Sequence, residues 1–128
     1  MIVLDTHAWI FLAFDRKRLG RAGRRAIEKA DRIGVSAMSL WELAMLVEKG
    51  RIALDRELLP WMQAALAEDR MELLGLTPAV VSSAHQLRGA LAGDPGDRII
   101  AATALVEGAT LVTKDARIGD SGVVSVVW

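Results

Sequence analysis

The stretch "DPGDRIIAATALVEGATLVTKD" (residues 94–115) encodes a helix-to-strand unit with carboxylates at both ends. Residues 97–108 are apolar on most sides, which predicts a buried helix, and Gly108 separates this helix from the strand-like run 109–113. The helix leads away from Asp97, and the strand leads back in the opposite direction. The pattern therefore predicts that Asp97 and Asp115 lie together at the carboxyl edge of a sheet.

Strand-like and helix-like segments alternate along the whole chain. Short apolar runs predict buried parallel strands, and longer amphipathic runs predict helices. The predicted strands are 1–5, 32–37, 71–76, 109–113 and 122–128, and the predicted helices are 6–14, 20–31, 39–50, 55–69, 78–91 and 97–108. This order predicts an α/β fold, a three-layer α/β/α sandwich around a mostly parallel sheet of four or five strands, formed by residues 1–128 as a single domain.

The distribution of charge is more informative than its total. Sixteen basic and sixteen acidic side chains give a formal net charge of zero, so overall charge indicates no partner. Half of the basic residues nevertheless fall between Arg16 and Arg32, namely Arg16, Lys17, Arg18, Arg21, Arg24, Arg25, Lys29 and Arg32. Such a segment is either a solvated helix face or a surface that binds a polyanion.

The chain contains no cysteine, which excludes disulfides, thiolate catalysis and cysteine–zinc sites. The apolar N-terminus lacks a basic leader and is interrupted by Asp5 and His7, so neither a signal peptide nor a membrane span is expected there. These features predict a cytoplasmic protein with no membrane partner.

Further acids are predicted at the same sheet edge as Asp97 and Asp115. Asp5 closes the first strand, and Glu42 falls in the first turn of the helix that follows the second strand. Asp94 precedes Asp97 by three residues, in the loop before the helix. All of these acids converge if the first strand is central, between strands 32–37 and 109–113.

Carboxylates gathered in this way repel one another, and a bound divalent cation would keep them ionised. Oxygen ligands favour Mg²⁺ or Mn²⁺ over zinc, and the chain has only two histidines, His7 and His85. A carboxylate-held metal beside basic residues is typical of phosphoryl chemistry. The predicted supporting residues are hydroxyls and cations next to the acids: Thr6, Thr113, Arg98 and Lys114.

Each acid other than Asp5 also has a purely structural interpretation. Glu42 and Ser39 have the spacing of a capping box, and Asp94 before Pro95 is a typical helix start. Asp115 is a common first residue of a turn. Only the joint placement of the acids favours a catalytic site, and the chain has neither a phosphate-binding P-loop nor a nucleophile elbow.

Four segments together resemble the PIN domain, and more narrowly the VapC-type toxins of type II toxin–antitoxin pairs. They are "LDTHAWIFL" (4–12), "SAMSLWELAMLVEKGRI" (36–52), "GDPGDRIIAATAL" (93–105) and "LVTKDARI" (111–118), and they span most of the chain in the family's order. The resemblance implies a PIN-like fold and a Mg²⁺- or Mn²⁺-dependent endoribonuclease that cuts RNA. It also implies a homodimer that a cognate antitoxin blocks.

The resemblance assigns roles to individual residues. It implies that Asp5, Glu42 and Asp97 are the family's catalytic, metal-binding acids and that Asp115 is its more variable fourth acid. Asp94 corresponds to a frequent additional acid in the metal site. Thr6 and Thr113 match the small hydroxyl residues that accompany the acids, whereas Gly96 departs from the bulky apolar residue that the family often has there.

Two alternatives remain open from the sequence. The first is a catalytically silent PIN-like module that binds RNA or protein without cutting. The second is a receiver-like domain that accepts phosphate on an aspartate beside Mg²⁺. No acid closes the strand predicted over 71–76, where a receiver would carry its phosphoacceptor.

Overall fold

The central element is a sheet of five parallel strands in the order β3–β2–β1–β4–β5. The computed structural model describes the whole chain, Met1–Trp128. The strands are β1 Ile2–Leu4, β2 Ile33–Ser36, β3 Met71–Leu74, β4 Thr110–Val112 and β5 Val126–Val127. Leu4 pairs with Val35 of β2 on one side and with Val112 of β4 on the other. The first strand is therefore central, as the convergence of the acids requires.

Seven α-helices flank this sheet, and a 3-10 turn over Arg16–Arg18 follows the first of them. The helices are α1 Thr6–Phe14, α2 Arg21–Lys29, α3 Ala37–Glu48, α4 Leu58–Leu66, α5 Pro78–Gln86, α6 Pro95–Val106 and α7 Ala116–Ser121. The α/β/α sandwich with a parallel sheet is confirmed. None of these helices combines the length and the apolar character that crossing a bilayer requires.

The alternation of side chains along β1 divides the core into two layers. Ile2 and Leu4 pack on one face of the sheet with α1, α2 and α4, where Trp9 and Trp61 are buried. Val3 packs on the other face with α6 and α7. β1 is buried on both faces, which explains why its sequence is apolar throughout.

The third helix begins two residues earlier than the sequence predicts. Ser36, the last residue of β2, caps it by accepting a hydrogen bond from the backbone amide of Met38 at 3.1 Å. The capping-box interpretation of Ser39 is therefore wrong, because Ser39 lies inside the helix and is fully buried. Strand β2 passes directly into α3 with no loop between them. The sequence therefore contains two candidate caps, Ser36 and Ser39, and the earlier one is the cap.

The largest difference lies after β4. The sequence predicts only a loop and a long final strand over 122–128, whereas residues Ala116–Ser121 form α7 and β5 is limited to Val126–Val127. Asp115 caps α7, and its side chain accepts a hydrogen bond from the amide of Arg117 at 2.9 Å. With six residues and one buried side chain, Ile118, this helix is too short to show a helical period.

Candidate active site

Asp5 lies at the carboxyl end of the central strand. Its backbone amide extends the β1–β4 ladder by donating to the carbonyl of Val112 at 3.1 Å. Its side chain caps α1, with Oδ1 accepting from the amide of Ala8 at 2.7 Å, and Oδ2 accepts a hydrogen bond from the hydroxyl of Thr113. The same hydroxyl accepts from the amide of Asp115 at 3.0 Å. Thr113 thus connects the ends of β1 and β4 through Asp5.

Glu42 lies in the second turn of α3, the helix that follows β2. Strand β2 is the neighbour of β1 on the side opposite β4. Thr6 Oγ1 donates to Glu42 Oε1 at 2.7 Å and forms a second hydrogen bond of 2.9 Å with Ser39 Oγ. Thr6 and Ser39 are both buried. Ser39, which the sequence suggests only as a helix cap, therefore supports the Thr6 hydroxyl that holds Glu42. The signal for this role is the spacing of three residues between Ser39 and Glu42, which places both on one face of α3.

The start of α6 brings two more acids to the same edge. Asp94 caps the helix, with Oδ1 accepting from the amide of Gly96 at 2.9 Å, and Asp97 lies in the first turn. A Cβ atom at Gly96 would approach Asp94 Oδ1 to 3.3 Å and Glu42 Oε2 to 3.4 Å. It would also lie 3.2 Å from Met38 Cε, so Gly96 is closely packed and a bulky residue there would have to displace its neighbours.

Arg117 is a second site residue that the sequence reasoning missed, after Ser39. Its guanidinium is ion-paired with Asp97 Oδ2 at 2.6 Å and with Asp115 Oδ2 at 2.9 Å, so it bridges the first turn of α6 and the cap of α7. Its side chain remains 65% exposed. Only the existence of α7 places Arg117 here, and the sequence pattern did not reveal that helix.

The electrostatics of the site divide the acids into two groups. Burial raises the pKa of Asp5, and the hydrogen bond from Thr113 opposes this change. Burial likewise raises the pKa of Glu42 and of Asp97, and repulsion from neighbouring acids, Asp94 in both cases, adds to it. The pKa of Asp115 is lowered instead, chiefly by its hydrogen bond from Arg117. The fold therefore disfavours the charged form of Asp5, Glu42 and Asp97, and a nearby cation would stabilise each of these carboxylates.

Lys114 and Arg98, the two cations predicted to support the acids, lie in different environments. Lys114 is exposed, and its Nζ lies 5.3 Å from the centre of the Phe11 ring. It forms no ion pair. Arg98 is partly buried, and its Nε has no hydrogen-bond partner. Neither side chain neutralises the acids, because Arg117 is the only basic side chain ion-paired with Asp97 or Asp115.

The donor set suits a hard divalent cation, although no three acidic or imidazole side chains are already close enough together to enclose one. The available ligands are carboxylate oxygens, which Mg²⁺ and Mn²⁺ prefer. Burial disfavours the charged form of three of these carboxylates, so a bound cation would stabilise them. The chemistry of these oxygen donors therefore fits such an ion, whereas their present arrangement does not enclose one.

A parallel five-stranded sheet between layers of helices, with five acids near the carboxyl ends of its strands, defines an α/β protein with an acidic site at one edge of the sheet. The PIN domain profile matches residues 2–122, which is nearly the whole chain. The chain therefore belongs to the PIN-domain family, as its sequence predicts.

Relatives narrow this assignment to the VapC group. The chain is 43% identical over 117 residues to Ribonuclease VapC22 of Mycobacterium tuberculosis (strain ATCC 25618 / H37Rv), covering 91% of this chain and 88% of that protein. Its fold is similar to VapBC2 from Rickettsia felis bound to a promoter DNA fragment, with a TM-score of 0.72 at 22% identity over 99% and 98% of the two chains. It is also similar to DNA-bound VapBC from Salmonella typhimurium, with a TM-score of 0.71 at 23% identity over the same shares.

Proposed function

We propose that this protein is a VapC-type toxin, a metal-dependent endoribonuclease that hydrolyses phosphodiester bonds in RNA. The observation that carries the proposal is the convergence of Asp5, Glu42, Asp97 and Asp115 at the carboxyl edge of β1 and its neighbours. The identity to Ribonuclease VapC22 supports the same activity. A structural explanation alone does not account for Asp5 and Glu42, because burial disfavours both as anions and the attraction of nearby His7 does not offset it.

Asp5, Asp97 and Glu42 would hold Mg²⁺ or Mn²⁺, with Asp115 and Asp94 as additional oxygen donors. When bound, such an ion lowers the pKa of a coordinated water and stabilises charge on the phosphate oxygens. The protein residues supply the orientation. Thr113 fixes one oxygen of Asp5, and Thr6, supported by Ser39, fixes one oxygen of Glu42.

Arg117 would leave the acidic cluster when the cation enters. It neutralises Asp97 and Asp115 in the metal-free protein, and its exposed side chain has room to move outward. Once released, its guanidinium can donate hydrogen bonds to a phosphate of the substrate, a group that arginine binds well.

The proposed partners are RNA, a cognate antitoxin and a second copy of the chain. A groove of about 470 Å³ between α1, α2 and α4 is lined by nine apolar residues, Trp9 and Trp61 among them, and by six charged residues. This mixed surface, beside the basic residues 16–32, would accept an antitoxin segment that carries both apolar and charged side chains. The homodimer, the single-domain organisation and the cytoplasmic location remain predictions.

The proposal is tested by incubating antitoxin-free protein with total cellular RNA in EDTA, Mg²⁺ or Mn²⁺. We expect cleavage only with metal, and its loss in Asp97→Asn but not in the control Asp120→Asn, which removes an exposed acid of α7. Cleavage by Asp97→Asn at the wild-type rate would contradict the assignment. Folded protein that binds RNA but never cuts it would favour the silent PIN-like module.

A further inference from the structure

Two cations share one aromatic ring at the border of the acidic site. Phe11 of α1 is 4% exposed. The guanidinium carbon of Arg18 lies 4.3 Å from the centre of its ring, and Lys114 Nζ lies 5.3 Å from the same point. The indole of Trp128 packs edge-on against the ring, with centroids 6.1 Å apart. The ring is thus fixed by packing and holds two exposed charges by cation–π attraction.

Neither of these charges is neutralised by an acid. The ion pairs of the chain join the N-terminus to Asp31, Arg32 to Glu72, Arg56 to Asp55, and Arg117 to Asp97 and Asp115. Arg18 and Lys114 take part in none of them. Two like charges held against one ring repel each other, and an anion bound near either of them would lower that repulsion.

The location of the pair connects it to the proposed chemistry. Lys114 directly follows Thr113, whose hydroxyl binds Asp5. Arg18 belongs to the basic segment defined by the eight cations between Arg16 and Arg32, all of which are exposed. Positive charge therefore continues from the border of the acidic cluster, across Phe11, to helix α2.

We propose that Arg18 and Lys114, positioned by Phe11, form a binding site for a backbone phosphate of the RNA next to the one that is cut. This inference rests on the proposed function. The acidic cluster repels a polyanion, so a strand that reaches it needs compensating cations close by, and these two are the unpaired cations that Phe11 brings together. Such a site contacts the phosphate and not the base, so it would not distinguish sequences. The exposed cations of α2 would bind further phosphates of the same RNA strand.

The test is fluorescence anisotropy of a labelled single-stranded RNA oligonucleotide in EDTA, which prevents cleavage, over a series of KCl concentrations. We expect Arg18→Ala and Lys114→Ala each to weaken binding roughly threefold to tenfold and to reduce the slope of log affinity against log salt by about 0.7, the value for one lost phosphate contact on a single strand. Arg18→Lys should restore most of the slope, which a merely structural role would not do.

Arg51→Ala is the matched control, because Arg51 is exposed and forms no ion pair but lies beyond the far end of α3. It should bind RNA like the wild type. Wild-type affinity and salt slope in both Arg18→Ala and Lys114→Ala, in a protein that cuts RNA with metal, would overturn the phosphate site and leave the proposed function intact. Failure of the wild type to cut RNA with any metal would instead refute the proposed function.

Discussion

Asp5 combines a structural role with an electrostatic penalty. Its carboxylate caps α1 and accepts from Thr113, yet burial raises its pKa above the ordinary value. A raised pKa means that the folded chain holds the proton more tightly than the unfolded chain. The ionised carboxylate therefore destabilises the metal-free protein at neutral pH, and this penalty disappears as the pH falls through the raised pKa.

We expect Asp5→Asn to unfold at a higher temperature than the wild type in EDTA at neutral pH. Asparagine keeps an oxygen for the cap and carries no charge, so a gain of about 3 °C, on the order of 1 kcal/mol, is expected. Thermal unfolding followed by circular dichroism at descending pH should show this gain shrinking. A variant that is less stable than the wild type at neutral pH would show that the carboxylate is favourable where it lies.

Thr113 links the ends of β1 and β4 by hydrogen bonds to Asp5 and to the amide of Asp115. Thr113→Val keeps the shape of the side chain but removes the hydroxyl that binds Asp5 and the amide of Asp115. We expect roughly a tenfold to hundredfold loss of Mn²⁺ affinity or cleavage rate, as is typical when a group that orients a metal ligand is removed.

The matched control for this change is Thr103→Val. Thr103 is equally buried, but its hydroxyl donates to the carbonyl of Ile99 within α6, away from the acids. Mn²⁺ titration calorimetry and a cleavage assay on both variants separate the two roles. Equal effects at the two positions would mean that Thr113 contributes only packing.

At the scale of elements, α7 places Arg117 against two acids of the cluster, Asp97 and Asp115. Removing this side chain removes an internal cation that competes with the metal. We expect Arg117→Ala to bind Mn²⁺ more tightly, by roughly two- to fivefold, since exposed ion pairs contribute little. Calorimetric titration measures this directly, and weaker binding by the variant would show that Arg117 helps to form the metal site rather than compete for it.

The start of α6 poses a related question about Asp94, which caps the helix and raises the pKa of Glu42 and Asp97 by repulsion. Asparagine is as good a cap as aspartate, whereas alanine is not. We expect Asp94→Asn to keep wild-type stability and Asp94→Ala to lose about 1 kcal/mol. If Asp94 also binds metal, both variants lose Mn²⁺ affinity. Unchanged Mn²⁺ affinity in Asp94→Asn would identify the residue as a cap alone.

Most elements could be predicted from the sequence because their patterns are long. The bounds of α1 agree with the apolar run 6–14. Helix α6, predicted over 97–108, begins and ends two residues earlier, because Asp94 caps it and Pro95 is its first residue. The acids Asp5, Glu42 and Asp97 could be placed on one edge because the direction of each predicted element is enough to fix that edge. Their catalytic and metal-binding roles remain part of the proposal.

Other features depend on contacts that no local pattern encodes. Helix α7 has six residues, so Arg117 could not be placed beside Asp97, which is 20 positions earlier in the chain. Lys114 adjoins Asp115 in sequence but lies over Phe11, more than 100 positions away. The pairing of Ser39 with Thr6 likewise joins two elements that only the order of the sheet brings together.

At the scale of the whole molecule, one sheet carries both core layers, and its central strand belongs to each of them. We expect a single cooperative unfolding transition, because neither layer keeps its strands without the other. Tryptophan fluorescence reports mainly the layer that contains Trp9 and Trp61, and far-ultraviolet circular dichroism reports the whole chain. Coincident urea transitions by the two probes are expected, and separate midpoints would contradict a single folding unit.

We propose that the carboxylates at the carboxyl edge of β1, disfavoured as anions by burial, hold the metal with which the protein cuts RNA. The most direct test is the rate of RNA cleavage against Mn²⁺ concentration for the wild type and Asp5→Asn, with folding checked by thermal unfolding. We predict that the wild type is inactive in EDTA and active with Mn²⁺, whereas the folded Asp5→Asn variant stays inactive throughout. Cleavage by wild-type protein in EDTA, or wild-type rates in Asp5→Asn, would contradict this claim.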